Sequence, residues 1–267
     1  VILSSLKLYR LQVRFGARQM TLGGIGAVYT PCAQRGRGHA RAMLAAVLDR
    51  MRAEGASGAL LFSDIGTAYY QALGFHPLPS QEFSVPLHAI PMGERSPLAI
   101  EPIREAEWSE IERLYEHATA SDPFALLRSS TYWDHLRRKE HERARRRPAG
   151  GKLPCHRIAR RAGRSVGYVL AVFDPPALVL QELIVADGRP ETARALLGAI
   201  REDGEALGGT QLNGWWPPQG WSRFLPREVF HPRPRDRELT MIASCDPALD
   251  VGALAAWGDL FWATDHF

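Results

Sequence analysis

Seven residues, Gln34-Arg35-Gly36-Arg37-Gly38-His39-Ala40, stand directly before a run of apolar residues at helical spacing. Glycines at 36 and 38 let the main chain approach a ligand closely and let successive amides point inward. A helix starting near Gly38 adds the partial positive charge of its N-terminus, so the loop suits a diphosphate. Arg35, Arg37 and Arg41 supply full charges at its rim. There is no Gly-Lys-Ser/Thr, which excludes a Walker loop, and the glycine spacing excludes the Rossmann fingerprint. An exposed turn carrying arginines fits the same residues, and spacing alone does not separate the two readings.

The elements that must position this loop can be traced on both sides of it. Residues 2–15 alternate apolar and polar, Gly16 makes a turn, and a second extended run covers 20–29, as in an antiparallel hairpin. After the loop, Ala40, Met43, Leu44, Val47, Leu48 and Met51 share one helix face, which Gly55 and Gly58 end. Residues 59–62 read as a strand and 67–73 as a short helix stopped at Gly74. Pro77, Pro79, Pro86, Pro91 and Pro97 mark a connection. The second half repeats the order. Strands are predicted at 165–173 and 178–185, then a helix carrying Ala193, Leu196, Leu197 and Ile200, a strand at 211–216, and a short helical region over 221–230. Two copies of one α+β unit follow, over residues 1–92 and 93–267.

The chain has 267 residues, 45% of them hydrophobic and 23% charged. That is enough for a sizeable core, and it excludes a disordered, collagen-like or disulfide-stapled protein. Cys32, Cys155 and Cys245 are too few and too scattered for a disulfide framework or a zinc site, so no metal is expected and a reducing, cytoplasmic setting is. No stretch approaches the roughly 18 apolar residues of a membrane span, so no membrane partner is expected. The net charge of +4 is partly local: Arg137, Arg138, Lys139, Arg143, Arg145, Arg146 and Arg147 form one run. Without interleaved aromatics, that run reads as a solvated helix end and loop before it reads as a nucleic-acid footprint.

Three segments taken together resemble the GNAT (Gcn5-related N-acetyltransferase) superfamily: Ile25-Gly26-Ala27-Val28-Tyr29-Thr30-Pro31, the loop that follows, and Tyr70-Gln71-Ala72-Leu73-Gly74-Phe75. Arg35, Gly38 and Ala40 fit the family's Arg-x-x-Gly-x-Gly/Ala pattern. The resemblance implies acetyl-CoA as co-substrate, its pantetheine arm along Val28, Tyr29 and Thr30. It puts the diphosphate on the amides of Arg35, Gly36, Arg37, Gly38, His39 and Ala40, and adds Thr67 to the binding set. It makes Tyr70 the general acid that protonates the departing thiolate, a transfer that suits a phenol of pKa about 10 and a thiol of pKa near 8.5. Two copies and the Gly-Gly-Ile-Gly-Ala-Val-Tyr-Thr-Pro strand are similar to the tandem-GNAT enhanced intracellular survival (Eis) acetyltransferases. There the terminal carboxylate enters the first domain's site as general base, a role that would fall to Phe267, with Asp64 and His266 as fallbacks. A frayed or core-capping tail is the plainer reading. Against the family pattern, the first copy is expected to lack its N-terminal strand and helices.

The second copy lacks the equipment. Ala186-Asp187-Gly188-Arg189-Pro190 replaces the loop, and Leu225 stands where the first copy has Tyr70. Glu182 on its central strand is expected to be a buried, satisfied carboxylate or an exposed edge residue, and Trp215, Trp216 and Trp221 to be core or interface. The expected function is N-acetyl transfer to a small-molecule or peptide amine in a ternary complex. An acetyl-CoA-binding but non-catalytic regulator and a basic nucleic-acid-binding module are the alternatives. The acceptor's identity and self-association into a homo-oligomer are left open.

Overall fold

The computed structural model describes residues 2–92, 97–145 and 152–267. The chain begins with β1 (Ser5–Phe15) and β2 (Arg18–Tyr29), an antiparallel hairpin turned at Gly16, whose φ of +59° suits a tight two-residue loop. Helix α1 (His39–Ala53) follows and buries Leu44, Leu48 and Met51 against Ile25, Leu61 and Phe75. Each such side chain contributes roughly 2 kcal/mol. Then come β3 (Gly58–Ser63), parallel to β2, the single turn α2 (Ala68–Gln71), β4 (His76–Pro77) and β5 (Gln81–Pro86).

The second unit runs β6 (Leu98–Pro102), α3 (Trp108–Thr119), β7 (Phe124–Leu127), α4 (Ser130–Arg145), β8 (Leu153–Pro154), β9 (Arg157–Arg161), β10 (Arg164–Asp174) and β11 (Ala177–Val185). It continues with α5 (Pro190–Ala206), β12 (Gln211–Trp215), β13 (Arg233–Pro234), β14 (Leu239–Ser244) and α6 (Val251–Ala255). Ala193, Leu196, Leu197 and Ile200 of α5 are all fully buried on the sheet. The helical region expected over 221–230 is only a 3-10 turn, Ser222–Phe224.

The described residues form two mixed sheets, ordered β4-β14-β3-β2-β1-β7 and β13-β5-β12-β11-β10-β9-β6, with β8 on β10. Each unit therefore lends a strand to the other. β5 leaves the first unit to pair with β12, and β14 returns from the second to lie between β3 and β4. Phe83 and Val85 of β5 enter the second core, and Met241 and Ile242 of β14 the first. A boundary at 92/93 is thus crossed in both directions. β7 also crosses, pairing with β1 over Gln12–Phe15. No helix among the described residues is long and apolar enough to cross a membrane. Of the basic run, Arg137 pairs with Asp134 on the exposed side of α4. Arg146 and Arg147 lie outside the described residues.

Candidate active site

The cleft begins where two parallel strands part. β2 and β3 pair from Leu22 and Gly58 to Ile25 and Leu61, and no further. One step on, Ala27 takes a φ of +49° and the register with β1 slips, from Lys7 opposite Gly26 to Ser5 opposite Tyr29. This bulge keeps β2 on β1 but turns its main chain away from β3. Alanine suits the position because a β-branched residue tolerates a left-handed conformation poorly. The gap is a cleft of about 900 Å³, walled by Gly26, Ala27, Val28 and Thr30 on one side and Leu61, Phe62, Asp64 and Ile65 on the other.

The Gly-rich loop closes one wall. Gly36 and Gly38 have φ of +74° and +79°, and a Cβ at either would meet open space, so the demand for glycine is conformational. Gly38 is the N-cap of α1, which has neither a side-chain cap nor an acidic residue in its first turn. Its first N–H groups are left for an anion. Gln34, Arg35, Gly36, Gly38, His39, Ala40 and Arg41 line the cleft, whereas Arg37 bonds Gln34 outside it. Arg35 is tied back through Nε to the Thr30 carbonyl at 3.1 Å. Tyr29 is exposed, and neither it nor Thr67 is part of the wall.

Tyr70 lines the cleft from α2 and is 8% exposed. Gly74 at φ +86° closes the turn, and the Phe75 amide bonds the Tyr70 carbonyl at 3.1 Å. The Phe75 ring then meets the Tyr70 ring edge-on at 5.9 Å. That is the physical content of the Gly-Phe pair: it fixes the tyrosine's ring. Burial, then Tyr69 and Asp64, push the Tyr70 phenol above its ordinary pKa, so it stays protonated.

The chain terminus completes the cleft. Phe267 packs on Tyr9 and Phe62 at 4.7 and 5.3 Å, and its main-chain oxygen lies 2.9 Å from where a Cβ on Gly26 would stand. The tail caps the first core and brings the Phe267 main-chain oxygen to the cleft in the same stroke. Its anchor lies in the second unit. Buried Arg128 grips Glu182 through two nitrogens at 3.0 and 2.5 Å and Asp265 at 2.8 Å. Tyr168 and Thr264 also donate to Glu182. Glu182 is therefore a buried, satisfied carboxylate. Lys139 of α4 donates to the His266 carbonyl at 3.2 Å. His266 lies between Phe62 and Trp215, and burial lowers its pKa, which leaves the imidazole neutral at pH 7. Sequence reasoning missed Arg128 and Asp265, since lone charged residues carry no spacing signal.

The second unit repeats the frame without the binding surface. β10 and β11 slip register between Leu170 and Ala171, echoing the first bulge. At the start of α5, however, the Asp187 carboxylate accepts from the Arg189 amide at 3.1 Å and Thr192 Oγ1 at 2.9 Å. A built-in anion thus sits near the helix N-terminus, Pro190 removes an amide, and Leu225 is core. Cys32 is exposed and does not line the cleft.

Two mixed sheets, a bulged β2 and a glycine loop capping α1 define the GNAT fold in tandem form. Residues 1–78 match the family model of the acetyltransferase (GNAT) domain. Similar folds include a GCN5-related N-acetyltransferase from Anabaena variabilis, at 15% identity and TM-score 0.67, covering 90% of this chain and 59% of that one. Another, from Kribbella flavida, has 18% identity and TM-score 0.65, covering 90% and 56%. Eis1 from Mycobacterium abscessus has 13% identity and TM-score 0.61, covering 92% and 62%. This chain spans about three fifths of the length of these structures. No curated protein sequence matches it. The resemblance to tandem GNAT proteins thus stands on the sequence of the first 78 residues and on the fold of both units.

Proposed function

We propose that the chain transfers an acetyl group from acetyl-CoA to a small-molecule or peptide amine. What carries the reading is the presence, in one cleft, of a buried tyrosine, the chain's own terminal carboxylate and an uncapped helix N-terminus. The open space at Gly36 and Gly38 and the free first turn of α1 suit a diphosphate, and the main chain of 26–30, turned off β3, suits an amide-bearing arm. Acetyl-CoA supplies an acetyl group on a thioester, which a neutral amine attacks with loss of thiolate.

The protein's own part is binding and proton traffic. Amides of residues 36–41 and the Arg41 guanidinium hold the diphosphate. The Phe267 carboxylate takes, directly or through water, the proton that the acceptor ammonium must lose. Tyr70 Oη–H gives its proton to the leaving sulfur, the proton held at Phe267 passes to solvent, and the second proton, shed by the attacking nitrogen as the amide forms, returns to the tyrosinate. A thiol-release assay with acetyl-CoA and a panel of amines tests this, with Tyr70→Phe as control. Amine-dependent release that falls in the variant is expected. Binding of acetyl-CoA without turnover would instead leave the non-catalytic regulator, and no binding at all would end both readings.

A further inference from the structure

One residue outside the cleft is held against its backbone preference. Glu238, just before β14, has a φ of +51°, a conformation that costs a side-chain-bearing residue roughly 1 kcal/mol or more. Three neighbours impose it. Arg235 donates to the Glu238 carbonyl at 2.7 Å and stacks over the Trp215 ring at 3.6 Å. Trp215 Nε1 donates to Glu238 Oε2 at 3.0 Å. Trp215 itself is braced on Phe62 of the first unit at 5.3 Å.

The braced carboxylate keeps one oxygen for a ligand. Oε1 lies 3.7 Å from His266 Nδ1, beyond hydrogen-bond reach, and the side chain is 38% exposed. It faces a second cavity of about 310 Å³ on the second-unit side, lined also by Gln181 and Trp215. His266 is a wall of both this cavity and the acetyl-CoA cleft. The other charges lining it have partners within its wall: Lys152 pairs with Asp174 at 2.7 Å, and Lys139 donates to the His266 carbonyl at 3.2 Å. The volume suits a small molecule or the end of a side chain.

We infer that this cavity receives the acceptor and that Glu238 is the carboxylate that binds a second, non-reacting ammonium group of it, resting on the transfer reading above. Glu238 recognises charge and moves no proton; the Trp215–Arg235 stack is its positioning support. Strain at 238 is then explained by the site, because glycine would fit the turn but could not hold a cation.

The test compares wild type, Glu238→Gln and Glu238→Gly in the thiol-release assay, with 1,4-diaminobutane as an acceptor that carries a second ammonium and butylamine as one that lacks it. Gln keeps an acceptor for Trp215 Nε1, and Gly relaxes the strained backbone, so neither threatens folding. In both variants the KM for 1,4-diaminobutane should rise about tenfold relative to that for butylamine, while the acetyl-CoA KM holds. A ratio unchanged within about twofold, or an equal rise for both acceptors, overturns the Glu238 assignment and leaves the transfer reading intact. Wild type that releases thiol with neither acceptor overturns both.

Discussion

Gly26 leaves the space that the last residue, Phe267, occupies: a Cβ on Gly26 would lie 2.9 Å from the Phe267 oxygen and 3.3 Å from its carbonyl carbon. The obstruction is main chain rather than the far end of a flexible side chain, so relief requires the tail itself to shift. Gly26→Ala is therefore expected to displace the tail and lower amine-dependent turnover at least about tenfold, with acetyl-CoA affinity little changed. Gly23→Ala is the matched control. The three nearest atoms to its Cβ all belong to the unbranched Met51 side chain, which can change rotamer, so activity should persist. Parallel kinetics and calorimetry of the two variants decide it.

Extending the chain by a few glycines leaves the Phe267 ring in place and moves the carboxylate away. Turnover should fall by about 10²–10⁴ while acetyl-CoA binding survives. Unchanged turnover in the extended chain would remove Phe267 from the reaction.

Tyr70→Phe keeps the ring against Phe75 and removes only the proton donor. A loss of about 10²–10⁴ in kcat at constant acetyl-CoA KM is expected. Burial raises the Tyr70 pKa, so any alkaline limb it governs should lie above the ordinary phenol value near 10 in a kcat–pH profile, and should vanish in the variant.

Arg128 separates two carboxylates, Glu182 and Asp265, that share its guanidinium in the interior. Arg128→Met leaves both facing each other without a counter-charge and should cost about 3–5 kcal/mol in urea unfolding. The triple change Arg128→Met, Glu182→Leu, Asp265→Leu should restore much of that stability, yet not turnover, because the tail loses its anchor.

Asp259 gives stability a pH signature. It is buried, its Oδ1 accepts from the Gln81 amide at 2.8 Å, and Oδ2 has no partner. Burial raises its pKa from 3.8 to about 7. The folded state therefore holds a proton that the unfolded chain releases, so this contribution is full below about pH 4 and is lost as pH rises to 7. Asp259→Asn should flatten that slope, of at most about 1.4 kcal/mol per pH unit, in melting curves between pH 4 and 8. An unchanged slope would place the titration elsewhere.

Much of the first unit could be read locally. The hairpin turn at Gly16, the glycine loop and the Tyr70–Phe75 pair are each set by neighbours within six residues, so their spacing carries the information. Tail and cavity are different. Arg128 meets Asp265 across 137 positions and Trp215 meets Glu238 across 23, and no periodicity encodes such partners. The strand exchange is equally silent, because alternation in β5 says which residues are buried but not in which sheet, and β14, buried at four consecutive positions, does not alternate at all.

Sequence alone determined the first hairpin, α1, β3, β10, β11, α5 and β12, and a loop whose glycines can adopt left-handed angles, since these depend on short-range sterics and hydrophobic period. Tertiary structure decided that the second unit, though without a matching glycine loop, holds the tail whose last main-chain oxygen faces Gly26. That outcome needed a buried ion network and crossed strands, interactions whose energy arises only once distant segments are brought together.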